Sequence, residues 1–565
     1  MSSIKAIAKI SLVLILVFAI FTFNYFSFPV QGVIEISSCT SITESGDYVV
    51  TSDLYLTGMY PYCIDIFVDD VSIDCQNHKI ELATDIHQYS DGINIRSGVK
   101  NVSISNCEII GFNESAVFLR GSNEYITIRN VTIRDGLLGI WDVGNGRYID
   151  ISGVYIYNMS GVSIGLFGEN IVISNILLEG NGSRDITAIW IRESSNNVTI
   201  RDSTIINYIK AMEVWMNNSL IYNNTIIKDI PLEEWEARIM VAGSENITVA
   251  KNKIYSDDYG LGIWFCCPSN NNVTIEDNEI INTSYGGGGS STNIYIRNNY
   301  INVSTIGFIF YYSSGYESAH ITIEGNTIIH RYGRDGYVIG FYNSSDVVVR
   351  NNILIDENLF TEPFFNAIFL LNSLSNNVSI VDNNLIADVL SVFHTLPSNY
   401  SISNVFACNN TATFNTSWRV TEPYFRDRGG YLVNVMRIES SSCEPYLSAI
   451  FNYTSIDFGS VQPYNTYDVV ETMQIDSNMI NITFSVNGTD LIGVEDVISS
   501  TNIQFSPSKY LEFPTALVPI ESIAKYVFYY LPNEFNNIVE NLFRFSVPLV
   551  RPGIYTGTIT VEVSI

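Results

Sequence analysis

Three short polar clusters bring carboxylates close in sequence to one another, to a histidine or to arginines. In chain order they are Asp85, His87 and Asp91; Asp257 and Asp258; and Arg331, Arg334 and Asp335. Cleavage of a glycoside needs an acid and a partner carboxylate, and cleavage beside a uronate needs a cation and a base. These residue types are present but sparse. We therefore expect solvated loops rather than an active site, with Asp85, His87 and Asp91 as the catalytic candidates to test.

The elements that would position these loops come from one pattern that recurs twelve times at a spacing of 21 to 31 residues. Positions zero and two of each copy are apolar, position four is mostly Asn, Asp or Gly, and position seven is Ile or Leu. Asn, Asp and Gly tolerate a left-handed backbone, so each copy predicts a strand, a bend and a second strand. The copies begin at Val102, Ile126, Ile149, Ile171, Val198, Leu220, Ile247, Val273, Ile294, Ile321, Val347 and Val378.

A single copy cannot bury its apolar face, but stacked copies place each inward side chain on another at a coil spacing of roughly 4.8 Å. The sequence therefore predicts an all-β chain: a right-handed parallel β-helix of about 13 coils at residues 71–417, after an N-terminal cap at 33–70. A sandwich or a propeller would need antiparallel hairpins with two-residue turns, or blades of roughly 40 residues. Neither signal is present in this region.

The opening SCTSITESGDYVVTSDLYL, the later CIDIFVDDVSIDCQNHKI and the GIN and GIW strand starts carry a family resemblance. Over residues 35–410 the chain resembles the pectate-lyase-like superfamily, and within it the NosD-like repeat proteins of archaeal and bacterial surfaces. The resemblance implies the β-helix fold but no single activity, since the superfamily includes lyases, hydrolases, epimerases and binding proteins. It also implies paired Asp with GHG for a hydrolase, or RxPxxR for a lyase, and both signatures are absent from this sequence.

The two ends of the chain differ in composition from the repeats. Residues 1–32 hold two lysines and then an apolar run, which predicts a secretory signal peptide or an uncleaved membrane anchor. Residues 418–445 read as a transition. Residues 446–565 have longer alternating strands separated by Pro and Gly turns, which predicts a small β-sandwich similar to modules that end archaeal surface proteins.

Charge and cysteine content indicate the compartment and exclude some partners. The net charge of −29 and the pI near 4.4 argue against a nucleic-acid partner. The eight cysteines fit an oxidising, extracellular or cell-surface location. We expect bridges among Cys39 and Cys63, Cys75 and Cys107, and Cys408 and Cys443, while Cys266 and Cys267 are either a strained ring or two thiols. No spacing predicts a bound metal; the excess carboxylates could bridge calcium, but no loop has the DxDxDG pattern.

Twenty N-x-S/T sequons run from Asn101 to Asn487. Six of them stand directly before position zero of a coil, where glycans could project from one outer edge of the solenoid. A plain ladder of turns with outward Ser and Thr explains the same residues without any sugar, and the sequence leaves both readings open. The six are Asn101, Asn197, Asn246, Asn272, Asn377 and Asn399.

Aromatic residues recur in the strand that precedes each new coil, between aliphatic residues that should point inward. Outward rings would form a ladder on one face, with arginines beside them, and such a stripe favours binding of the apolar faces of sugars. The alternative is that a loop or the C-terminal domain covers the stripe as a second core. The predicted ladder is Phe118, Trp141, Trp190, Trp215, Trp264 and Phe369, accompanied by Arg96, Arg120 and Arg192.

Two classes of function fit these features. The first is a non-catalytic surface glycoprotein, an adhesin or a surface-coat component, whose partners are extracellular glycans or other coat subunits. Its only membrane contact would be the N-terminal segment, if uncleaved. The second is a secreted polysaccharide lyase or glycoside hydrolase. Short loops and scarce ionisable groups favour the first class, since an enzyme more often has long loops that wall a cleft.

Overall fold

The structure is a computed structural model in which the chain forms two compact units, divided between Ile176 and Leu177. Its described residues are all-β: a parallel solenoid of about twelve turns, followed by antiparallel sheets near the C-terminus. The predicted fold class is thereby confirmed. Within the described part of the chain, no helix has the length and apolar character needed to span a membrane. The described residues are 32–57, 60–83, 89–181, 187–229, 236–266, 270–311, 318–331, 336–357, 367–372, 375–387, 393–394, 401–414, 425–426, 431–435, 443–444, 447–453, 455–477, 481–493, 496–499, 502–506, 518–519, 526–529, 538–550 and 553–564.

The first unit builds three parallel sheets, one strand of each per coil. The first sheet, which holds positions zero and two, comprises Ile34–Ile36, Gly46–Val50, Val71–Asp74, Lys100–Ser105, Glu124–Arg129, Gly146–Ser152 and Gly168–Ser174. The second sheet, which holds position seven, comprises Leu54–Leu56, Lys79–Leu82, Glu108–Ile110, Thr132–Arg134 and Tyr155–Tyr157. The third sheet comprises Thr40–Ile42, Tyr62–Ile66, Asp91–Ile95, Ser115–Leu119, Leu138–Asp142 and Ile164–Leu166.

The second unit repeats this arrangement, and three long strands turn a corner to serve two sheets each: Thr187–Arg201, Glu279–Gly289 and Tyr300–Phe310. Its other first-sheet strands are Ser219–Tyr222, Glu245–Ala250, Asn271–Glu276, Thr292–Arg297, Ser318–Glu324, Ser344–Arg350, Asn376–Val381, Ser401–Cys408 and Tyr431–Val435. Second-sheet strands are Leu177–Glu179, Thr204–Ile206, Thr225–Ile227, Lys253–Tyr255, Thr327–His330, Ile353–Asp356, Asn384–Ala387 and Thr411–Phe414. Third-sheet strands are Lys210–Asn217, Ala237–Ala242, Leu261–Cys266, Tyr337–Tyr342, Ala367–Asn372, Phe393–His394 and Phe425–Arg426.

The C-terminal part of the second unit changes to antiparallel pairing, where the sequence predicts a sandwich. A five-stranded sheet contains Leu447–Phe451, Thr466–Ser477, Ile538–Ser546, Ile503–Ser506 and Val518–Pro519. A three-stranded sheet contains Tyr526–Tyr529, Asn481–Gly488 and Ile559–Ser564, and a two-stranded one contains Leu491–Ile492 and Val497–Ile498. Its buried core is Met473, Ile498, Ile503, Phe543, Phe545 and Val547. The predicted transition at 418–445 lies largely outside the described residues.

The inward side chains follow the predicted repeat, except in one copy whose start is displaced by one residue. Residues at positions zero and two, such as Ile126 and Ile128, are fully buried. In the sixth copy, however, Ser219 pairs with Ile247, so that copy begins at Ser219 and not at the predicted Leu220. The Ser219 hydroxyl accepts the N–H of Val198 at 2.9 Å, so a hydroxyl replaces the expected apolar side chain at this corner. The left-handed residue at position four of this copy is accordingly Asn223, with φ 53°.

A buried ladder of asparagines at position five links the coils of the second unit, and the repeat description did not identify it. From Asn224 to Asn383, the backbone N–H and the side-chain Nδ2 of each Asn both donate to the Oδ1 of the Asn in the next coil, at 2.9 to 3.0 Å. Buried amides need such partners, because an unpaired polar group in the core costs free energy. The ladder is Asn224, Asn252, Asn278, Asn299, Asn326, Asn352, Asn383 and Asn410.

Three disulfides staple the solenoid. Cys39–Cys63 and Cys75–Cys107 lie in the first unit, and Cys408–Cys443 lies in the second. The pairs match those expected from the sequence. Each bridge joins residues whose Cα atoms are 4.4 to 5.0 Å apart, a separation that stacked coils provide. Cys267 lies outside the described residues.

Candidate functional site

Five aromatic rings gather on the outer face of the third sheet in the second unit. We call Trp264, Tyr285, Tyr311, Tyr337 and Tyr342 the aromatic patch; they come from four successive coils and each is half-buried. The Trp264 ring centroid lies 5.7 Å from that of Tyr311 and 6.4 Å from that of Tyr285. The Tyr337 and Tyr342 hydroxyls lie 3.0 Å apart, which is hydrogen-bond distance. The coil stacking thus places aromatic faces and phenol groups side by side.

Glycines make room for these rings. The outward column of the third sheet runs from Trp264 to Gly288, then Ile309 and Gly340, so large side chains alternate with none. A β-carbon on Gly340 would lie 2.2 Å from the Tyr337 ring, so this ring lies directly on the backbone. A β-carbon on Gly288 would lie 1.9 Å from the Ile309 carbonyl oxygen. The strand thus closely approaches its neighbour, and only glycine fits there.

Three phenols of the patch, those of Tyr285, Tyr337 and Tyr342, are neutral donors over the physiological range. Burial, the largest cause, raises the pKa of Tyr337, Tyr342 and Tyr285, and the neighbouring Tyr342 raises those of Tyr337 and Tyr285 further. These three phenols are therefore uncharged near neutral pH, and the Trp264 indole is a neutral N–H donor. Such a surface can stack on an apolar ligand face and hydrogen-bond hydroxyl groups, but it offers no acid–base pair for catalysis.

A second polar group, the arginine cluster, lies on the third sheet of the first unit and consists of Asp65, Asp91, Asn94, Arg96 and Arg120. The Arg96 guanidinium donates to both carboxylate oxygens of Asp65, at 2.9 and 2.6 Å. The Arg120 Nε donates to the Asn94 Oδ1 at 2.8 Å, and its Nη2 lies 3.4 Å from the Asp91 Oδ2. The two cations are therefore held in place by acceptors from neighbouring coils.

Aromatic rings complete this cluster. The Arg96 guanidinium lies 4.8 Å from the Phe67 ring centroid, and that of Arg120 lies 4.2 Å from the Phe118 ring centroid. The Arg120 Nη2 also donates to the Tyr62 hydroxyl at 2.9 Å. Cation–π contacts of this kind hold the guanidinium planes against the sheet. Arg96 and Arg120 keep about a third of their side-chain surface exposed, at 37% and 31%.

Asp91 is the most perturbed acid of the cluster. Its side chain is fully buried, with 0% exposure, and its Oδ1 accepts the N–H of Ser115 at 3.0 Å. Burial raises the pKa of the Asp91 carboxyl to about 8, with a further increase from the Glu114 carboxylate, while Arg120 opposes the rise. Asp91 therefore carries a proton at neutral pH. The other two catalytic candidates, Asp85 and His87, lie outside the described residues.

The predicted aromatic ladder is wrong as a continuous stripe. In the second unit the outward column holds Trp190, Glu213, Met240 and Trp264, because Trp190 pairs with Glu213 and not with Trp215. Trp215 lies two residues further along its strand, beside Gly243. A bulge between Ile191 and Ser195 accompanies this offset. The tryptophans are half-buried rather than exposed.

Two phenylalanines of that ladder also depart from the prediction. Phe369 pairs with the inward Ile339 and is fully buried, so it belongs to the core. Phe118 does point outward, but it is only 4% exposed because the Arg120 guanidinium covers its ring. In the same column Trp141 lies over Gly165, where a β-carbon would come within 2.2 Å of its ring.

The arginines predicted beside the ladder have different surroundings. Arg96 and Arg120 belong to the arginine cluster, and Arg192 lies in the second unit, 5.7 Å from the Trp190 ring centroid. The paired acidic candidates Asp257 and Asp258 have different surroundings too. Asp257 lies 3.7 Å from the buried Arg238, whereas Asp258 is exposed and has a left-handed backbone. Arg331 lies 4.0 Å from Glu357 at the surface, and Arg334 and Asp335 are outside the described residues.

The sequon asparagines have a structural role of their own. Asn101, Asn197, Asn246, Asn272 and Asn377 are exposed and adopt φ between 53° and 57°, which Asn tolerates better than most residues. Side chains in adjacent coils hydrogen-bond, as where the Asn272 Nδ2 donates to the Asn246 Oδ1 at 2.7 Å. This supports the turn-ladder reading, and glycosylation stays a prediction. Asn399 lies outside the described residues.

Sequence reasoning missed the four tyrosines of the aromatic patch. Tyr285 and Tyr337 stand at the start of third-sheet segments, whereas Tyr311 and Tyr342 stand at or just beyond their ends. They therefore do not stand between two aliphatic residues, which is the pattern that predicts outward rings. Alignment of the third-sheet strands by their inward residues would have placed them near Trp264.

Comparison with known proteins identifies the fold family. The family model described as "Right handed beta helix region" matches residues 41–226 and 187–328, which together are just over half of the chain. No curated protein is similar enough to count as a relative.

Solved structures that match this chain share little sequence with it. PfbA, a surface adhesin of Streptococcus pneumoniae, is 15% identical over 58% of this chain and 85% of its own, with a TM-score of 0.34. The alginate lyase AlyF-OU02 is 14% identical over 57% and 79%, with a TM-score of 0.37. The tailspike protein of E. coli bacteriophage HK620 is 12% identical over 96% and 87%, with a TM-score of 0.33. At these values we draw nothing about activity from them, whereas the family model covers most of the solenoid, and the chain belongs to the right-handed β-helix family.

Proposed function

We propose that the protein is an exported, non-catalytic glycan-binding protein that contacts sugars through the aromatic patch. The observation that carries this proposal is the grouping of Trp264, Tyr311 and three further tyrosines on one rigid outer face. Flat rings complement the apolar faces of sugar rings, and neutral phenols hydrogen-bond sugar hydroxyls. Because the coils fix the rings in advance, little conformational entropy is lost when a ligand binds.

The proposed setting is the cell surface or the extracellular space. Three disulfides are typical of proteins that fold in oxidising compartments. Within that setting, an adhesin or a surface-coat component fits best, with residues 1–32 as its signal peptide or anchor and glycans on some of its sequons. Other coat subunits would be its protein partners. Glycopeptide mass spectrometry of the secreted protein, with sequencing of its mature N-terminus, tests the glycans and the leader.

Binding assays with a double variant test the patch. Trp264→Ala/Tyr311→Ala should lower affinity for glycans that bind the wild type by at least about tenfold, since stacking on an aromatic ring contributes on the order of 1 kcal/mol or more per ring. Tyr295→Ala is the matched control, because Tyr295 is exposed on the first sheet of the same unit. Unchanged affinity in a correctly folded double variant would refute the proposal.

One observation favours the alternative function, polysaccharide cleavage: a protonated Asp91 beside Arg120 is suited to general-acid catalysis. Its complete burial separates it from any bound chain, and for this reason we prefer binding. An assay of reducing ends released from a polysaccharide panel decides between them. Release by the wild type that Asp91→Asn abolishes would establish the enzyme. No release by the wild type supports the binding protein.

A further inference from the structure

Two tyrosines of the first unit occupy backbone positions that disfavour them. Directly before the position-zero residue of each coil, at the corner where the first-sheet strand begins, one residue is left-handed. In successive coils these residues are Asp70, Asn101, Tyr125, Tyr148 and Asn170, with φ between 56° and 58°. Asp and Asn tolerate this conformation, whereas a bulky aromatic residue is strained in it. Such strain persists where something else selects for the residue, and functional sites are a common reason.

Burial does not compensate for the strain at these positions. Tyr125 is 53% exposed and Tyr148 is 45% exposed. Their rings stack on each other with centroids 4.8 Å apart and an interplanar angle of 3°. The side chains in the coils on either side, Asn101 and Asn170, are shorter. Each tyrosine side chain is therefore longer than its outer neighbour in the column, and both tyrosines are exposed to solvent.

The charged residues directly before this column are paired with opposite charges. The residues that precede this column form ion pairs between coils: the Lys100 Nζ lies 3.0 Å from the Glu124 Oε2, and the Arg147 Nη2 lies 3.2 Å from the Glu169 Oε2. These four residues thus offer polar groups for hydrogen bonds and together carry no net charge. A ligand that matches it is uncharged, has a flat apolar face and carries hydroxyl groups.

We propose that the outer faces of Tyr125 and Tyr148 bind neutral hexopyranose units of a glycan. A sugar ring matches one aromatic face in size, whereas a stable protein interface buries at least about 1,000 Å², far more than two half-exposed rings supply. This site belongs to the first sheet of the first unit, whereas the aromatic patch belongs to the third sheet of the second unit. It shares the ligand class of the proposed function but none of its residues.

The decisive variant is Tyr125→Asn/Tyr148→Asn, which restores the residue that the neighbouring coils use. It should leave the thermal midpoint unchanged or higher, because Asn relieves the backbone strain, while removing the binding surface. His320→Asn is the matched control, since His320 is left-handed at the same turn in the second unit, with φ 56°. Tyr125→Phe/Tyr148→Phe keeps the stacked rings and should keep most of the binding.

Binding is measured by saturation-transfer NMR with neutral gluco-, manno- and galacto-hexaoses, on protein made in a bacterial host that adds no N-glycans. To separate this site from the aromatic patch, the Asn substitutions are made in the Trp264→Ala/Tyr311→Ala background. We expect residual binding in that background, and at least a fivefold loss of signal when the tyrosines become Asn. If Trp264→Ala/Tyr311→Ala alone removes all binding, the second site does not exist. If binding remains in that background and the Asn substitutions leave it unchanged, the tyrosine pair is not the site. Loss of self-association with unchanged sugar binding would make the pair a protein contact and would overturn it as well.

Discussion

Asp91→Asn should remove a pH dependence of stability that the fold imposes on this carboxyl. The pKa of Asp91 rises from 3.8 to about 8 because the side chain is buried. Between these values the folded chain holds one proton at Asp91 that the unfolded chain has released. The free energy of unfolding therefore falls as pH rises, by about 1.4 kcal/mol per pH unit and roughly 6 kcal/mol over the whole interval. Above the folded pKa both states are ionised, and the dependence on Asp91 ends.

The assay compares urea unfolding of the wild type and Asp91→Asn at pH 5, 6, 7 and 8, followed by far-UV circular dichroism. Asn cannot ionise, so the stability of the variant relative to the wild type should increase by about 4 kcal/mol from pH 5 to pH 8. Asp150→Asn is the control, since Asp150 forms a surface ion pair with Arg129 at 2.7 Å, and such pairs contribute under about 1 kcal/mol. A difference between Asp91→Asn and the wild type that stays constant with pH would show that Asp91 is not buried as a neutral acid.

Three further substitutions test the solenoid. Asn278→Ala removes the Oδ1 that accepts two hydrogen bonds from Asn252 in the buried ladder. The free energy of unfolding in urea should therefore fall by about 2 to 4 kcal/mol. The control Thr274→Ala, on the outer face of the first sheet, should change it by less than about 0.5 kcal/mol. Cys75→Ala/Cys107→Ala removes a disulfide between residues 32 apart in sequence. The free energy of unfolding should fall by about 2 to 4 kcal/mol, measured as a lower thermal midpoint without reductant. An unchanged midpoint would contradict a stabilising disulfide. Gly288→Ala should lower the thermal midpoint far more than Gly98→Ala. Both glycines have positive φ, but only at Gly288 would an added β-carbon meet a carbonyl oxygen, at 1.9 Å. Equal effects would mean that backbone strain, and not the lack of space, determines the loss of stability.

The repeat was readable from the sequence because it depends on local geometry. An Ile at positions zero and two points inward in any strand of period two, and Asn106 or Asn130 at position four adopts a left-handed bend, with φ 54° in both, with little help from distant residues. The cysteine pairs also follow from this pattern, since stacked coils bring residues of similar position together. The position-five asparagines recur in every copy from Asn252 to Asn383, and the sequence would have revealed them had that position been compared.

The outer surface depended on the tertiary structure. Coils differ in length, so the residue that lies beside Trp190 is set by hydrogen bonds between coils and by a bulge, and it is Glu213 rather than Trp215. Pairing with the inward Ile339 likewise places the Phe369 side chain in the core. The burial of Asp91 depends on contacts with neighbouring coils, which no local pattern encodes. Local periodicity therefore determines which side chains face inward, whereas the register between coils decides which outward side chains meet to form a site.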